Sequence, residues 1–86
     1  MQFEWDTRKA SAKIAQHKVS FQETATIFGD PLGRILADPR YSSEEQRFVL
    51  LGTSKEQRLI AVMYVERGEA IRIISARRAT PRERRD

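Results

Sequence analysis

The sequence predicts an α+β fold: two N-terminal helices packed on one face of a small antiparallel sheet, followed by a short C-terminal helix. The first third of the chain has apolar residues at helical spacing behind residues that cap helices. The second half has apolar runs of strand length, and the hairpin-length links between them require antiparallel neighbours. With 86 residues, the chain is expected to form a single domain over residues 1–86.

The N-terminal half contains one predicted strand and two predicted helices. Residues 3–5 form the strand, and residues 8–17 form the first helix because they are good helix formers. The second helix begins after Ser20, because Ser20 and Glu23 have the spacing of a capping box. It ends at Gly29, a residue that commonly terminates helices.

The C-terminal half is predicted to supply the rest of the sheet. Its strands cover residues 34–37, 47–52, 58–65 and 70–76, and a turn containing Gly68 joins the last two. Residues 59–65 are apolar at every position, so their strand should be covered on both faces and lie near the middle of the sheet. A final helix begins at Thr80, where Thr80 and Glu83 form a second capping box around Pro81.

Composition excludes several classes of protein and site. The chain has no cysteine, which excludes disulfides, a thiolate nucleophile and the usual structural zinc sites. Its longest apolar run has seven residues, far short of the roughly 20 that a membrane helix requires. The single histidine excludes a mechanism that needs two histidines, and the four scattered glycines do not form a nucleotide-binding loop. We therefore expect a reduced, cytoplasmic domain with no membrane partner, no metal and no cofactor.

The positive charge is concentrated at the C-terminal end. Residues 1–70 carry ten Lys or Arg and ten Asp or Glu, so the net charge of +4 comes from residues 71–86. All six basic residues in that segment are arginine. The guanidinium group matches phosphate and carboxylate oxygens with paired donors, which favours an anionic partner. A solvated charged tail remains the alternative.

Phosphoryl transfer within RNA fits this pattern, because the 2′-hydroxyl of the substrate attacks the adjacent phosphate. The protein then needs only to orient the strand, move protons and stabilise charge on the phosphate oxygens, without a metal. The candidate catalytic residues are Lys9, His17, Arg72 and Arg77, and the candidate RNA contacts are Ser75, Arg78, Arg82 and Arg84. Structural roles stay open for all of them: a packed side chain for His17, and solvated surface for the lysine and the arginines.

Four separated blocks carry a resemblance to a known family. They are FEWD at residues 3–6 with Lys9, HKVSF at 17–21, FGDP at 28–31 and IRIISARRATPRER at 71–84. In order and spacing these blocks are similar to the BrnT family, the toxins of BrnT/BrnA type II toxin–antitoxin pairs. The resemblance implies a RelE-like fold and a ribonuclease that inhibits translation and growth. It also implies a BrnA-like DNA-binding antitoxin as partner in a toxin–antitoxin hetero-oligomer.

At the matching positions, the resemblance implies substrate-facing roles for Lys9, His17 and Arg77, to which the strand pattern adds Arg72. The family usually has Lys-His-Gly where this chain has Gln16, His17 and Lys18. Because glycine gives easy access to positive φ, we expect the turn at Lys18 to differ from that of the family.

Two functions are therefore open from the sequence. One is a metal-independent endoribonuclease toxin. The other is a non-catalytic basic module that binds nucleic acid or an acidic protein partner. Chemical turnover, rather than affinity, distinguishes them.

Overall fold

The computed structural model describes residues 2–6, 8, 18–37 and 46–85, which form a five-stranded sheet with two short helices. The strands are β1 (Gln2–Glu4), β2 (Arg34–Ala37), β3 (Arg47–Thr53), β4 (Leu59–Arg67) and β5 (Ala70–Arg78), in the spatial order β1-β5-β4-β3-β2. The helices are α1 (Phe21–Thr26), which continues as a 3-10 turn over Ile27–Gly29, and α2 (Pro81–Arg85). The apolar strand β4 lies in the centre, as its sequence predicts.

The sheet is mixed, and the prediction of a purely antiparallel sheet was wrong at one edge. Strands β2 to β5 pair antiparallel, but β1 pairs parallel with β5, with Gln2 opposite Ala70 and Glu4 opposite Arg72. Short links force antiparallel pairing only on the strands that they join. A long stretch of chain separates β1 from the other strands, so its direction was not constrained in this way.

The prediction of two N-terminal helices on one face is not confirmed. Among the described residues, α1 packs on one face of the sheet. The predicted helix over residues 8–17 lies outside the described residues, apart from Arg8. At the start of α1 the Ser20 hydroxyl accepts a hydrogen bond from the Glu23 amide at 2.9 Å, as its capping pattern predicts. The Glu23 carboxylate does not complete the capping box; it accepts from Ser54 Oγ at 2.6 Å and from Arg58.

The core lies between α1 and one face of the sheet. Val19, Phe21 and Ile27 are fully or almost fully buried against apolar residues of the central strands, which include Ile60, Val62, Ile73 and Ala76. Burying each large side chain contributes roughly 1.5–3 kcal/mol. Ring contacts extend this layer to the edge of the sheet, because Trp5 stacks on Phe21 with centroids 6.1 Å apart.

Lys18 adopts a left-handed backbone conformation with φ 58° immediately before the core residue Val19. The loss of the family's glycine was expected to change this turn. In this chain, lysine takes the left-handed conformation that glycine reaches without strain, and the difference from the family's turn stays a prediction. The Lys18 carbonyl accepts a hydrogen bond from Arg58 Nη2 at 3.1 Å, which helps to hold the segment in place.

Candidate functional site

An irregularity in β5 controls which side chains share a face of the sheet. Met63 pairs with Ser75, but the next residue of β4, Tyr64, pairs with Ile73. Ile74 is therefore an extra residue in β5, which is the geometry of a β-bulge.

The bulge brings Arg72 and Arg77 to the same face. Side chains alternate along a regular strand, so residues five positions apart would point to opposite faces. The extra residue reverses the alternation, and the burial pattern follows it: Ile73 and Ala76 are both buried in the core. Arg72, Ser75 and Arg77 consequently share the face opposite α1.

We call this surface the arginine face. It consists of the partly exposed residues Arg72, Ser75 and Arg77 of β5. Of their respective β4 neighbours Val65, Met63 and Ala61, Met63 is partly exposed and the other two are buried. Ser75 Oγ lies 3.6 Å from Met63 Sδ, a contact across the two strands on this face. The positions opposite Arg72 and Arg77 are four residues apart in β4, which is about 13 Å along a strand.

Arg77 is held by a carboxylate of α2. Its Nη1 donates to Glu83 Oε1 at 2.7 Å and its Nη2 donates to Oε2 at 3.1 Å, while Nη1 also reaches the Arg78 carbonyl at 3.3 Å. The guanidinium hydrogen bond holds the pKa of Glu83 at about 2, and the same contact raises the pKa of Arg77. The charge of the Arg77 guanidinium is therefore balanced by Glu83.

Helix α2 is positioned by the capping box that its sequence predicts. The Thr80 amide donates to Glu83 Oε1 at 2.7 Å, and the Glu83 amide donates to Thr80 Oγ1 at 3.2 Å. The preceding residue, Ala79, is buried and donates from its amide to the Leu59 carbonyl at 2.9 Å. These contacts fix Glu83 beside the end of β5.

Arg72 also lies near a carboxylate. Its Nη1 is 3.9 Å from Glu4 Oε1, and both side chains are partly exposed. The parallel pairing of β1 puts Glu4 directly opposite Arg72. A surface pair at this distance is weak and leaves the guanidinium available to another anion.

The remaining predicted RNA contacts do not join the arginine face. Arg78 and Arg84 instead line a cavity of about 450 Å³ together with Thr53, Gln57, Arg58 and Leu59. We call this cavity the end pocket, because it lies where β3 and β5 end and β4 begins. Arg82 is exposed on α2.

Lys9 and His17, the two predicted proton-transfer residues, lie outside the described residues. Their roles therefore stay predictions.

Sequence reasoning missed three residues that organise this region. Glu83 was recognised only as a helix cap, although its spacing from Arg77 lets one carboxylate serve both purposes. Gln57 and Arg58 were assigned to a turn and a strand start, and nothing local in the sequence marks them as cavity residues. Their position depends on the pairing of β3 with β4.

The described ranges contain no cluster of three residues able to ligate a metal ion. Within the same ranges, no helix is long and apolar enough to cross a membrane.

Comparison with known proteins assigns the family. Residues 5–83 match the family described as "Ribonuclease toxin, BrnT, of type II toxin-antitoxin system". This chain belongs to the BrnT family. The BrnT ribonuclease toxin of Brucella abortus, known from a crystal structure, is similar in fold with a TM-score of 0.68 and 25% sequence identity. The similarity covers 93% of this chain and 97% of that chain. Among curated proteins, none matches this sequence.

The match to the BrnT family covers the residues of the arginine face. The family consists of ribonuclease toxins of type II toxin–antitoxin systems, and such a system implies an antitoxin partner. The matched range includes Arg72, Ser75, Arg77 and the Glu83 carboxylate that holds Arg77.

Proposed function

We propose that this chain is a toxin that cleaves RNA on the arginine face without a metal ion. The observation that carries the proposal is the bulge at Ile74, because it brings Arg72, Ser75 and Arg77 to one side of the sheet in a BrnT-family chain. Without the bulge, alternation would place the two arginines on opposite faces of the sheet. The positions opposite them lie about 13 Å apart along β4, a spacing that suits contacts to different phosphates of one strand.

Arg77 would stabilise the charge that develops on the attacked phosphate. Glu83 occupies one edge of the guanidinium through Nη1 and Nη2. Among the described residues, nothing hydrogen-bonds to Nε or to the second proton of Nη2. These two parallel donors form a fork that matches two phosphate oxygens. Glu83 is therefore a positioning residue in this proposal, since it fixes the fork before the RNA binds.

The reaction forms a bond from the 2′-oxygen to phosphorus and breaks the bond from phosphorus to the 5′-oxygen. The 2′-hydroxyl loses its proton to a base, and the leaving 5′-oxygen receives a proton from an acid. The products are a 2′,3′-cyclic phosphate and a 5′-hydroxyl end. Lys9 and His17 are our candidates for the two proton transfers, and Ser75 would contact the RNA beside Arg77.

The second candidate function is a non-catalytic module that binds nucleic acid or an acidic protein. Both arginines of the face have carboxylate neighbours, Glu4 and Glu83, and these reduce the positive charge offered to a substrate. Such a module would bind RNA with a steep salt dependence, because phosphate contacts release counterions, and would form no product.

Cleavage of labelled RNA in EDTA separates the two functions. We expect the purified chain to yield fragments and both Arg72→Ala and Arg77→Ala to lose at least tenfold in rate. Intact RNA at every salt concentration tested would leave the binding module as the better description.

The proposed partner is a BrnA-like DNA-binding antitoxin that covers the toxin in a hetero-oligomer. We propose a cytoplasmic location for this activity, because it would act on RNA and have a DNA-binding partner. Leu32, Ile35 and Leu36 are large apolar residues with 86%, 61% and 59% of their surfaces exposed, and such surface is often buried by a partner. Expression of the chain alone should stop growth and co-expression with the antitoxin should restore it; normal growth with the toxin alone would contradict this proposal.

A further inference from the structure

The end pocket is lined by three arginines that are not part of the arginine face. Its volume of about 450 Å³ lies within the range of about 300–1,000 Å³ typical of small-molecule sites. Three guanidinium groups, from Arg58, Arg78 and Arg84, line it together with one hydroxyl, one amide and one apolar side chain.

The three guanidinium groups differ in the partners that they have among the described residues. Arg58 is neutralised, because its side chain hydrogen-bonds to the Glu23 carboxylate, whose side chain is only 5% exposed. Among the residues that the structure describes, the side chains of Arg78 and Arg84 have no hydrogen bond or ion pair, although Glu23 acts on Arg78 at longer range. Within the described part of the chain, the cavity therefore offers the guanidinium groups of Arg78 and Arg84 without a hydrogen-bonded carboxylate, and that of Arg58 fixed by Glu23.

The wall of the pocket is built by a strained and well-anchored turn. Gln57 has φ 66°, in the left-handed region that glutamine rarely adopts. The turn closes through Ser54, whose amide donates to the Arg58 carbonyl at 2.8 Å and whose carbonyl accepts from the Gln57 amide at 2.9 Å. Ser54 is itself buried and donates to Glu23 at 2.6 Å. Backbone strain that the surrounding structure maintains is common at binding sites.

The end pocket adjoins a second cavity that reaches Glu83. This cavity of about 270 Å³ shares Thr53, Leu59 and Arg84 with the end pocket and is also lined by the carboxylates of Asp30 and Glu83. Glu83 is the residue that holds Arg77.

We propose that the end pocket is a nucleotide subsite. Arg78 and Arg84 hold one phosphate group, and the nucleoside attached to it lies between Gln57 and Leu59. The half-buried Leu59 offers an apolar surface to the base, and the Gln57 amide can both donate to and accept from a base edge. The proposal deepens the proposed ribonuclease function, because it gives the RNA a second contact away from the cleaved bond.

A titration followed by nuclear magnetic resonance tests the subsite without relying on cleavage. Uridine 3′-monophosphate, adenosine 3′-monophosphate, uridine and inorganic phosphate are each added in EDTA to the ¹⁵N-labelled full chain. We expect both nucleotides to shift the backbone amides of Gln57 and Arg78, and to bind at least tenfold more tightly than phosphate or uridine alone. The combined variant Arg78→Ala, Arg84→Ala should weaken nucleotide binding at least tenfold.

Arg67→Ala is the matched control, because Arg67 is an exposed arginine at the opposite end of β4. It should leave nucleotide binding unchanged. Both Arg78 and Arg84 are exposed, so the combined variant should keep the dispersed spectrum of the folded chain. Nucleotides that do not shift Gln57, or that bind the combined variant as tightly as the parent, would overturn the subsite. Phosphate that binds as tightly as the nucleotides would overturn the part assigned to the nucleoside.

The two proposals can fail separately. RNA that is cleaved by a chain whose end pocket ignores nucleotides would overturn the subsite and leave the ribonuclease intact. Nucleotides that bind at Gln57 and Arg78 in a chain that never cleaves RNA would support the subsite and overturn the ribonuclease.

Discussion

Arg77 and Glu83 are joined by two parallel hydrogen bonds, from Nη1 to Oε1 at 2.7 Å and from Nη2 to Oε2 at 3.1 Å. Glu83 also accepts from the Thr80 amide, so one carboxylate caps α2 and orients the guanidinium of β5. Paired hydrogen bonds between arginine and a carboxylate are stronger and more directional than single ones. The contact links the stability of the last helix to the geometry of the proposed catalytic arginine.

Acid should destabilise the fold through Glu83. Its carboxyl pKa is lowered from 4.5 to about 2 in the folded chain, chiefly by the hydrogen bond from Arg77. A group with a depressed pKa stabilises the folded state above its unfolded pKa, and that contribution is lost as the pH falls through the folded pKa. The free energy of unfolding should therefore fall between pH 4.5 and about 2.

The variant Glu83→Gln isolates this contribution. Its free energy of unfolding at neutral pH should be lower than that of the parent by about 1 kcal/mol, because the ion pair and part of the cap are lost. Its decline in acid should be shallower than that of the parent. Urea unfolding near neutral pH and near pH 3 measures both effects, and an identical pH dependence in the two proteins would contradict the assignment.

Arg77→Lys should fold normally and cleave RNA poorly. Lysine retains the charge next to Glu83 but has no planar fork for two phosphate oxygens. Losing one donor to a developing oxyanion typically costs about 100-fold in rate, so we expect a fall of that order in kcat. Lys55→Arg serves as the reverse control and should not change kcat. A rate for Arg77→Lys within twofold of the parent would show that cleavage does not need the paired donors of Arg77.

Arg58→Met should destabilise the chain because it leaves the buried Glu23 carboxylate without its cation. Glu23 is held in its charged form chiefly by the Arg58 hydrogen bond, which lowers its pKa. Uncompensated buried charges are costly, and we expect a fall in melting temperature of at least about 5 °C. The double variant Glu23→Gln, Arg58→Met should recover part of that loss. Arg67→Met is the control, and an equal fall in that variant would show that the effect is not specific to Glu23.

Lys18→Gly should stabilise the fold. Lys18 has φ 58°, where glycine carries no steric penalty, so replacement should raise the free energy of unfolding by about 0.5–1 kcal/mol. Lys18→Ala keeps the strain and should give no gain. Chemical denaturation of the three proteins makes the comparison, and equal effects of glycine and alanine would mean that the turn is not strained.

Much of the fold could be predicted because its signals are local. The capping pattern of Thr80 and Glu83 predicted the start of α2, and the uninterrupted apolar run of residues 59–65 predicted the central strand. The direction of β1 could not be predicted from local signals. Nothing within a strand of three residues encodes whether it pairs parallel or antiparallel after a long connection.

The candidate site was harder to predict than the fold. Ile73 and Ile74 are both isoleucine, so the apolar pattern did not reveal which of them is the extra residue of the bulge. Strict alternation would have placed Arg72 and Arg77 on opposite faces of the sheet. The observed register of β4 and β5 places them on the same face. Glu83 was identified as a cap, but its second role depends on how α2 returns toward β5.

The most direct test is the chemical identity of the cleaved ends. An end-labelled RNA is incubated in EDTA with the purified chain, beside a matched RNA carrying 2′-deoxyribose at the cleaved position. The account predicts a 2′,3′-cyclic phosphate and a 5′-hydroxyl on the fragments, with no cleavage of the deoxy substrate. Cleavage of the deoxy substrate, fragments that carry a 5′-phosphate, or cleavage that is abolished by EDTA would contradict it.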